Sequence, residues 1–89
     1  MAKLLVHHKV QDYDAWRKVF DESTLTRTRF GSTGQQVYRS PSDSNDLIVL
    51  TDWHDISQAR AYSQSNELRD AMKDAGVISQ PDVMYLDEA

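Results

Sequence analysis

Few side chains in this chain can do chemistry, and they do not form a dense cluster. His7 and His8 stand side by side in the run LVHHKV at residues 5–10, and His54 follows a tryptophan. An imidazole with its ordinary pKa near 6.5 moves protons at neutral pH, which makes His8 a candidate general base or acid. A tyrosine such as Tyr62 can donate a hydrogen bond, and an arginine such as Arg27 can stabilise negative charge. Cysteine is absent, which excludes a disulfide framework, a thiolate metal site and a cysteine nucleophile. Neither HxH nor HExxH occurs, so no metal is expected. The run Asp43-Ser44-Asn45-Asp46 lacks the glycine and distal glutamate of a calcium loop and reads as a turn. Gly31-Ser32-Thr33-Gly34 stops a helix rather than cradling phosphate, because no helix begins after it. A Ser-His-Asp triad can be drawn from the composition, but no nucleophile elbow supports one.

The elements that must position these groups are readable from pattern. Residues 4–10 read as a strand. Asp12 caps a helix running to about Phe30, ended by Gly31 and Gly34. Residues 35–40 form a second strand, PSDSND at 41–46 supplies turn chemistry, and LIVLTDW at 47–53 is the third strand. Asp55 caps a helix near 56–64, and Ser65 starts another near 66–75, closed by Gly76. PDVMYLDE at 81–88 is the last strand, with Pro81 at a start where proline is tolerated. The order predicts an α+β fold of the ferredoxin-like βαββαβ kind. Right-handed crossovers then put strands one and three in the middle of an antiparallel four-stranded sheet, with helices on one face.

Strand parity turns His7 and His8 to opposite faces, because successive strand side chains alternate. Both faces also carry aliphatics. Leu47, Val49, Thr51 and Trp53 oppose Ile48 and Leu50, while Val83 and Tyr85 oppose Met84 and Leu86. Leu4, Val6 and Val10 likewise oppose Leu5. A sheet covered on one side alternates apolar with polar, so the uncovered face needs a partner. The expectation is a homodimer stacked sheet on sheet.

Eighty-nine residues suffice for one domain, 1–89, whose core is small enough that dimerisation would help. The formal net charge of −4 argues against nucleic acid or an anionic membrane as partner. No apolar run approaches the roughly 20 residues of a membrane span, and no signal-peptide pattern is present, so a cytoplasmic location is the default expectation. An RNA-recognition domain shares the topology, but it needs exposed aromatics on central strands that are aliphatic here.

The first helix carries Tyr13, Trp16, Val19, Phe20 and Phe30 on one stripe. In its middle stand Ser23 and Arg27, where a tightly packed helix would place Leu or Val. Two readings are open. Either a gap lies between helix and sheet, bridged by Arg27, or the helix end frays and Arg27 reaches solvent. The first would make a concave, mostly apolar small-molecule site.

The βαββαβ order, the doubly apolar sheet, Trp53 at a strand end before an acidic helix start, and the AxxYSxSxELRDAM run at 59–72 resemble the dimeric α/β-barrel superfamily. Within it, the chain is most similar to the antibiotic biosynthesis monooxygenase-like domain. The resemblance implies a homodimer whose sheets close a barrel, with a pocket in each subunit between sheet and helices. It implies oxidation of polyketide aromatics by oxygen without a cofactor, haem degradation, polyketide cyclisation, or no known reaction. Trp53 matches a pocket tryptophan of the family enzymes. Haem-degrading members have asparagine where Val6 stands and histidine where Tyr62 stands, and both departures count against haem. By the family's parity, His8 faces the pocket and His7 the partner or rim.

The expected site is therefore His8 and Tyr62 as proton-moving groups, with Trp53, Arg27, Ser23 and Trp16 around the ligand. The expected function is binding an aromatic or polyketide-like molecule, with cofactor-free oxygenation or cyclisation. The alternative is a non-catalytic ligand-binding or regulatory module in which His8 is only a core residue.

Overall fold

The computed structural model describes residues 2–89. Its elements are β1 (Ala2–Lys9), α1 (Tyr13–Glu22), α2 (Thr24–Phe30), β2 (Ser32–Ser40), β3 (Asp43–Trp53), α3 (Ile56–Ser63), α4 (Asn66–Asp74) and β4 (Asp82–Asp87). The four strands form one antiparallel sheet in the order β2-β3-β1-β4, so β1 and β3 are central. This is the ferredoxin-like α+β arrangement anticipated above.

Capping chemistry sets most helix starts. Asp12, Asp55 and Ser65 each accept a backbone N–H from the first turn they precede, at Ala15, Ser57 and Leu68 respectively. The helix anticipated as continuous to Phe30 instead breaks at Ser23. The Ser23 hydroxyl donates to the Val19 carbonyl at 2.9 Å, and the Thr24 hydroxyl donates to the Asp21 carbonyl at 2.8 Å. Adjacent hydroxyl side chains compete for the helix's own acceptors there, and the axis turns. Gly31, at φ 112°, closes α2 in the left-handed conformation. The chain then enters β2 at once, three residues before the anticipated start. Gly34 therefore lies inside that strand, at a register shift, and does not end the helix. The turn between β2 and β3 shrinks to Pro41 and Ser42, because Asp43 to Asp46 continue the strand.

Leu4, Val6 and His8 of β1, and Leu47, Val49, Thr51 and Trp53 of β3, are buried beneath the helices. The core beneath them is split. One cluster gathers Leu4, Val6, Trp53, Ala59 and Tyr62. The other gathers Val10, Trp16, Phe20, Leu47, Val49 and Ala75.

The opposite face carries an apolar centre with ion pairs at its margins. Leu50, Leu5 and Met84 stand in register across β3, β1 and β4. Tyr38 and Ile48 pair beside them, and Tyr38, Ile48 and Met84 are exposed. Lys3 pairs with Asp52 at one margin, and His7 Nε2 lies 2.7 Å from Asp46 Oδ1 at the other. No helix among the described residues is long and apolar enough to cross a membrane.

Candidate functional site

A cavity lies on the seam between the two core clusters. Its floor is Leu4, Val6 and His8 of β1 with Val49 and Thr51 of β3. Trp16, Val19 and Phe20 of α1, with Ser23 at the helix break, form one wall. Arg27 comes from α2, Tyr62 from α3, and Leu68, Ala71 and Met72 from α4. About 50 Å³ is open to the centres of water-sized molecules, room for a few waters or one very small ligand. Four polar side chains, His8, Ser23, Arg27 and Thr51, interrupt what would otherwise be one continuous apolar core.

His8 is 4% exposed, and neither ring nitrogen has a hydrogen-bond partner among the described residues. A buried polar group without a partner is costly, and native proteins keep few of them. Burial, with a smaller contribution from His7 next to it, pushes the His8 pKa down to about 4. The ring is therefore neutral at physiological pH, with one nitrogen carrying a lone pair.

Arg27 is 2% exposed, which rules out the reading of a frayed helix end reaching solvent. Its Nε and Nη2 both donate to Gln35 Oε1, at 3.1 and 2.9 Å. Nη2 also donates to the Phe20 carbonyl at 2.9 Å and to Thr24 Oγ1 at 3.1 Å. The guanidinium carbon sits 3.8 Å from the Phe20 ring centroid, a cation–π geometry. All of these partners are neutral. Burial lowers the Arg27 pKa, while the Tyr62 phenol opposes that shift, yet an arginine in a protein keeps its proton.

Tyr62 is buried, its ring edge-on to Phe30 at 5.4 Å. Burial raises its pKa, against the pull of Arg27. Its phenol therefore stays protonated at neutral pH and serves as a hydrogen-bond donor, not a base. Of the two, only the neutral imidazole of His8 has a lone pair able to accept a proton at neutral pH.

Trp16 and Ser23 line the cavity, but Trp53 does not. The Trp53 ring is fully buried 5.3 Å from that of Tyr62, and its indole N–H donates to Thr51 Oγ1 at 2.8 Å. It stands behind the wall and fixes Thr51 and Tyr62. Two contributors escaped the sequence reading. Thr51 had a visible signal, a hydroxyl at a buried parity otherwise filled by Leu47, Val49 and Trp53. Gln35, which holds Arg27, had none, since a glutamine early in a strand is unremarkable. Among the described residues no group of histidine and carboxylate side chains could hold a metal.

No protein-family model matches the sequence, and no curated protein does. The fold is more widely shared. A Bordetella bronchiseptica protein provisionally named an antibiotic biosynthesis monooxygenase superposes with a TM-score of 0.83 at 15% identity, over 99% of this chain and 96% of that one. A Caulobacter crescentus protein of the same provisional name gives 0.77 at 18% identity, over 99% and 89%. The cofactor-independent oxygenase SnoaB of Streptomyces nogalater gives 0.74 at 13% identity, over 99% and 94%. This chain has the antibiotic biosynthesis monooxygenase-like fold. At such identities the likeness is one of architecture, and that fold alone assigns no reaction.

Proposed function

We propose that this chain is a cofactor-free oxygenase subunit of the antibiotic biosynthesis monooxygenase type, working as a homodimer in the cytoplasm on a phenol or enol bound in the helix-side cavity. One observation carries the reading. His8 is buried at the cavity floor as a neutral imidazole with no hydrogen-bond partner among the described residues, ready to accept a proton from a bound molecule. In that step the ligand's O–H or activated C–H breaks and its proton moves to the free ring nitrogen. The anion left behind is stabilised by the imidazolium just formed, by the Arg27 charge and by the Tyr62 O–H. The electron-rich carbon then reduces dioxygen. For a methylene carbon the balance is CH2 plus O2 giving C=O plus H2O. The SnoaB description as a cofactor-independent oxygenase supports this chemistry on the shared fold.

The homodimer rests on the apolar row of half-buried Leu50 and Leu5 with exposed Met84, flanked by exposed Tyr38 and Ile48, on the sheet face away from the helices. The tightness of the cavity favours a second reading, a non-catalytic module that binds a small ligand at the same place.

Oxygen uptake decides between them. A panel of single-ring and fused-ring phenols and enols should show protein-dependent oxygen consumption with at least one member. His8→Ala should lower that rate by about 10²–10⁴-fold, the usual contribution of a positioned acid–base group. Uptake indifferent to His8→Ala would overturn the catalytic assignment. Saturable binding with no uptake across the panel would leave the binding module.

A further inference from the structure

We infer that the cavity selects a compact monoanion, a molecule with one acidic oxygen group and an apolar body no larger than a single ring, whose charge is read by Arg27. The inference rests on the cavity being the ligand site, and it goes beyond that by fixing charge and size. Three independent features point to it.

The first is charge. Arg27 brings a full positive charge into the wall, and among the described residues no aspartate or glutamate lines the cavity. Arg27 makes no ion pair among the described residues. The carboxylate whose charge reaches it, Asp21, is exposed and paired with Arg17. A buried cation held only by neutral acceptors leaves an uncompensated positive potential, and an anionic ligand would complete it.

The second is the unpartnered imidazole. His8 shares the cavity with Arg27 and has a free donor and a free acceptor. A ligand oxygen can meet the donor nitrogen, or a ligand proton the acceptor.

The third is size. An apolar cavity of about 150 Å³ is enough for benzene, whereas this one offers about 50 Å³. The wall that can give is α4, which has no fully buried residue of its own and contributes only the half-buried Leu68, Ala71 and Met72. A single ring requires those tips to shift. A fused tricyclic would require α4 to leave its seat on α1 and α3.

Benzoate and benzamide differ in charge at nearly equal size, and 9-anthroate adds two rings at the same charge. Binding to the wild-type protein is measured by calorimetry, and the site is located by the indole resonance of Trp16, which lines the cavity. Benzoate should bind at least about tenfold tighter than benzamide, the preference expected of a charge-assisted bond to a buried guanidinium. It should move the Trp16 resonance, and 9-anthroate should not bind. Arg27→Gln should erase the preference between benzoate and benzamide, with Arg27→Lys retaining part of it. Should the substitutions unfold the protein, the wild-type comparison still decides. Equal binding of benzamide and benzoate at Trp16 would overturn the charge assignment while leaving a ligand site. Tighter binding of 9-anthroate than of benzoate would overturn the size assignment. Failure of all three to bind the folded protein would remove the cavity as a ligand site, and the inference with it.

Discussion

His8 meets Trp16 edge to face, with ring centroids 6.0 Å apart and planes at 72°. That contact is apolar company for a polar ring whose nitrogens have no hydrogen-bond partner among the described residues. A histidine selected only for packing would have been better replaced by leucine, which fills similar space without an unsatisfied donor and acceptor. The pair thus joins a stability cost to a site, and its consequences can be measured.

The cost should show in the pH dependence of stability. His8 titrates at about 4 in the folded chain, against 6.5 as the ordinary value. Its pKa is depressed on folding, so the unfolded chain binds the proton first. Stability from this group is full above pH 6.5 and falls as pH drops from 6.5 toward 4. Each pH unit in that window costs about 1.4 kcal/mol, of order 3 kcal/mol in all. Chemical denaturation across the window should show this slope in the wild type and its loss in His8→Leu. The same slope in both proteins would contradict the buried neutral histidine.

Trp53 should behave as a structural residue. It is fully buried and tied to Thr51 by its indole N–H. Trp53→Phe should lower stability by about 1–3 kcal/mol, from lost volume and a lost buried hydrogen bond. Benzoate binding per folded molecule should change by less than about threefold, under 1 kcal/mol. A loss of binding at unchanged stability would return Trp53 to the ligand.

The sheet face opposite the helices should hold the partner copy. Sedimentation should give a dimer at micromolar concentration, and Leu5→Asp or Leu50→Asp should yield a destabilised monomer or insoluble protein. A well-folded wild-type monomer at that concentration would contradict the proposal.

Haem should bind weakly. The cavity, at about 50 Å³, is far too small for a macrocycle. Titrated haem should give no absorption band of a strong axial ligand. Such a band, lost in His8→Ala, would contradict this.

The architecture was legible because strand and helix periods write it residue by residue. Parity set His7 and His8 on opposite faces, and the family resemblance put His8 beneath the helices; His7 lies on the other face beside Asp46. The capping roles of Asp12, Asp55 and Ser65 were equally plain. The break at Ser23 was not, since the apolar stripe continues through it and side-chain hydroxyls decide the turn. Arg27 showed only that something polar interrupted the stripe. Its burial depends on Gln35 and the Phe20 carbonyl, partners brought close by tertiary packing that no spacing rule reveals. Trp53 sat at the right parity but behind Tyr62, a depth that alternation along a strand cannot specify.

The central claim is that the cavity is a ligand site in which His8 can take a proton. Nuclear magnetic resonance of the His8 ring, followed across pH with and without saturating benzoate, tests it most directly. The other ionisable groups lining the cavity with His8 are Arg27 and Tyr62. The charge of His7 reaches His8 from the opposite face of β1, and among the described residues no carboxylate lines the space. A bound anion should therefore be the dominant stabiliser of the imidazolium. The free protein should titrate at His8 near 4, and benzoate should move that midpoint upward by at least about one unit, tenfold in proton affinity. A midpoint near 6.5 in the free protein, or one that bound benzoate leaves unmoved, would contradict the account.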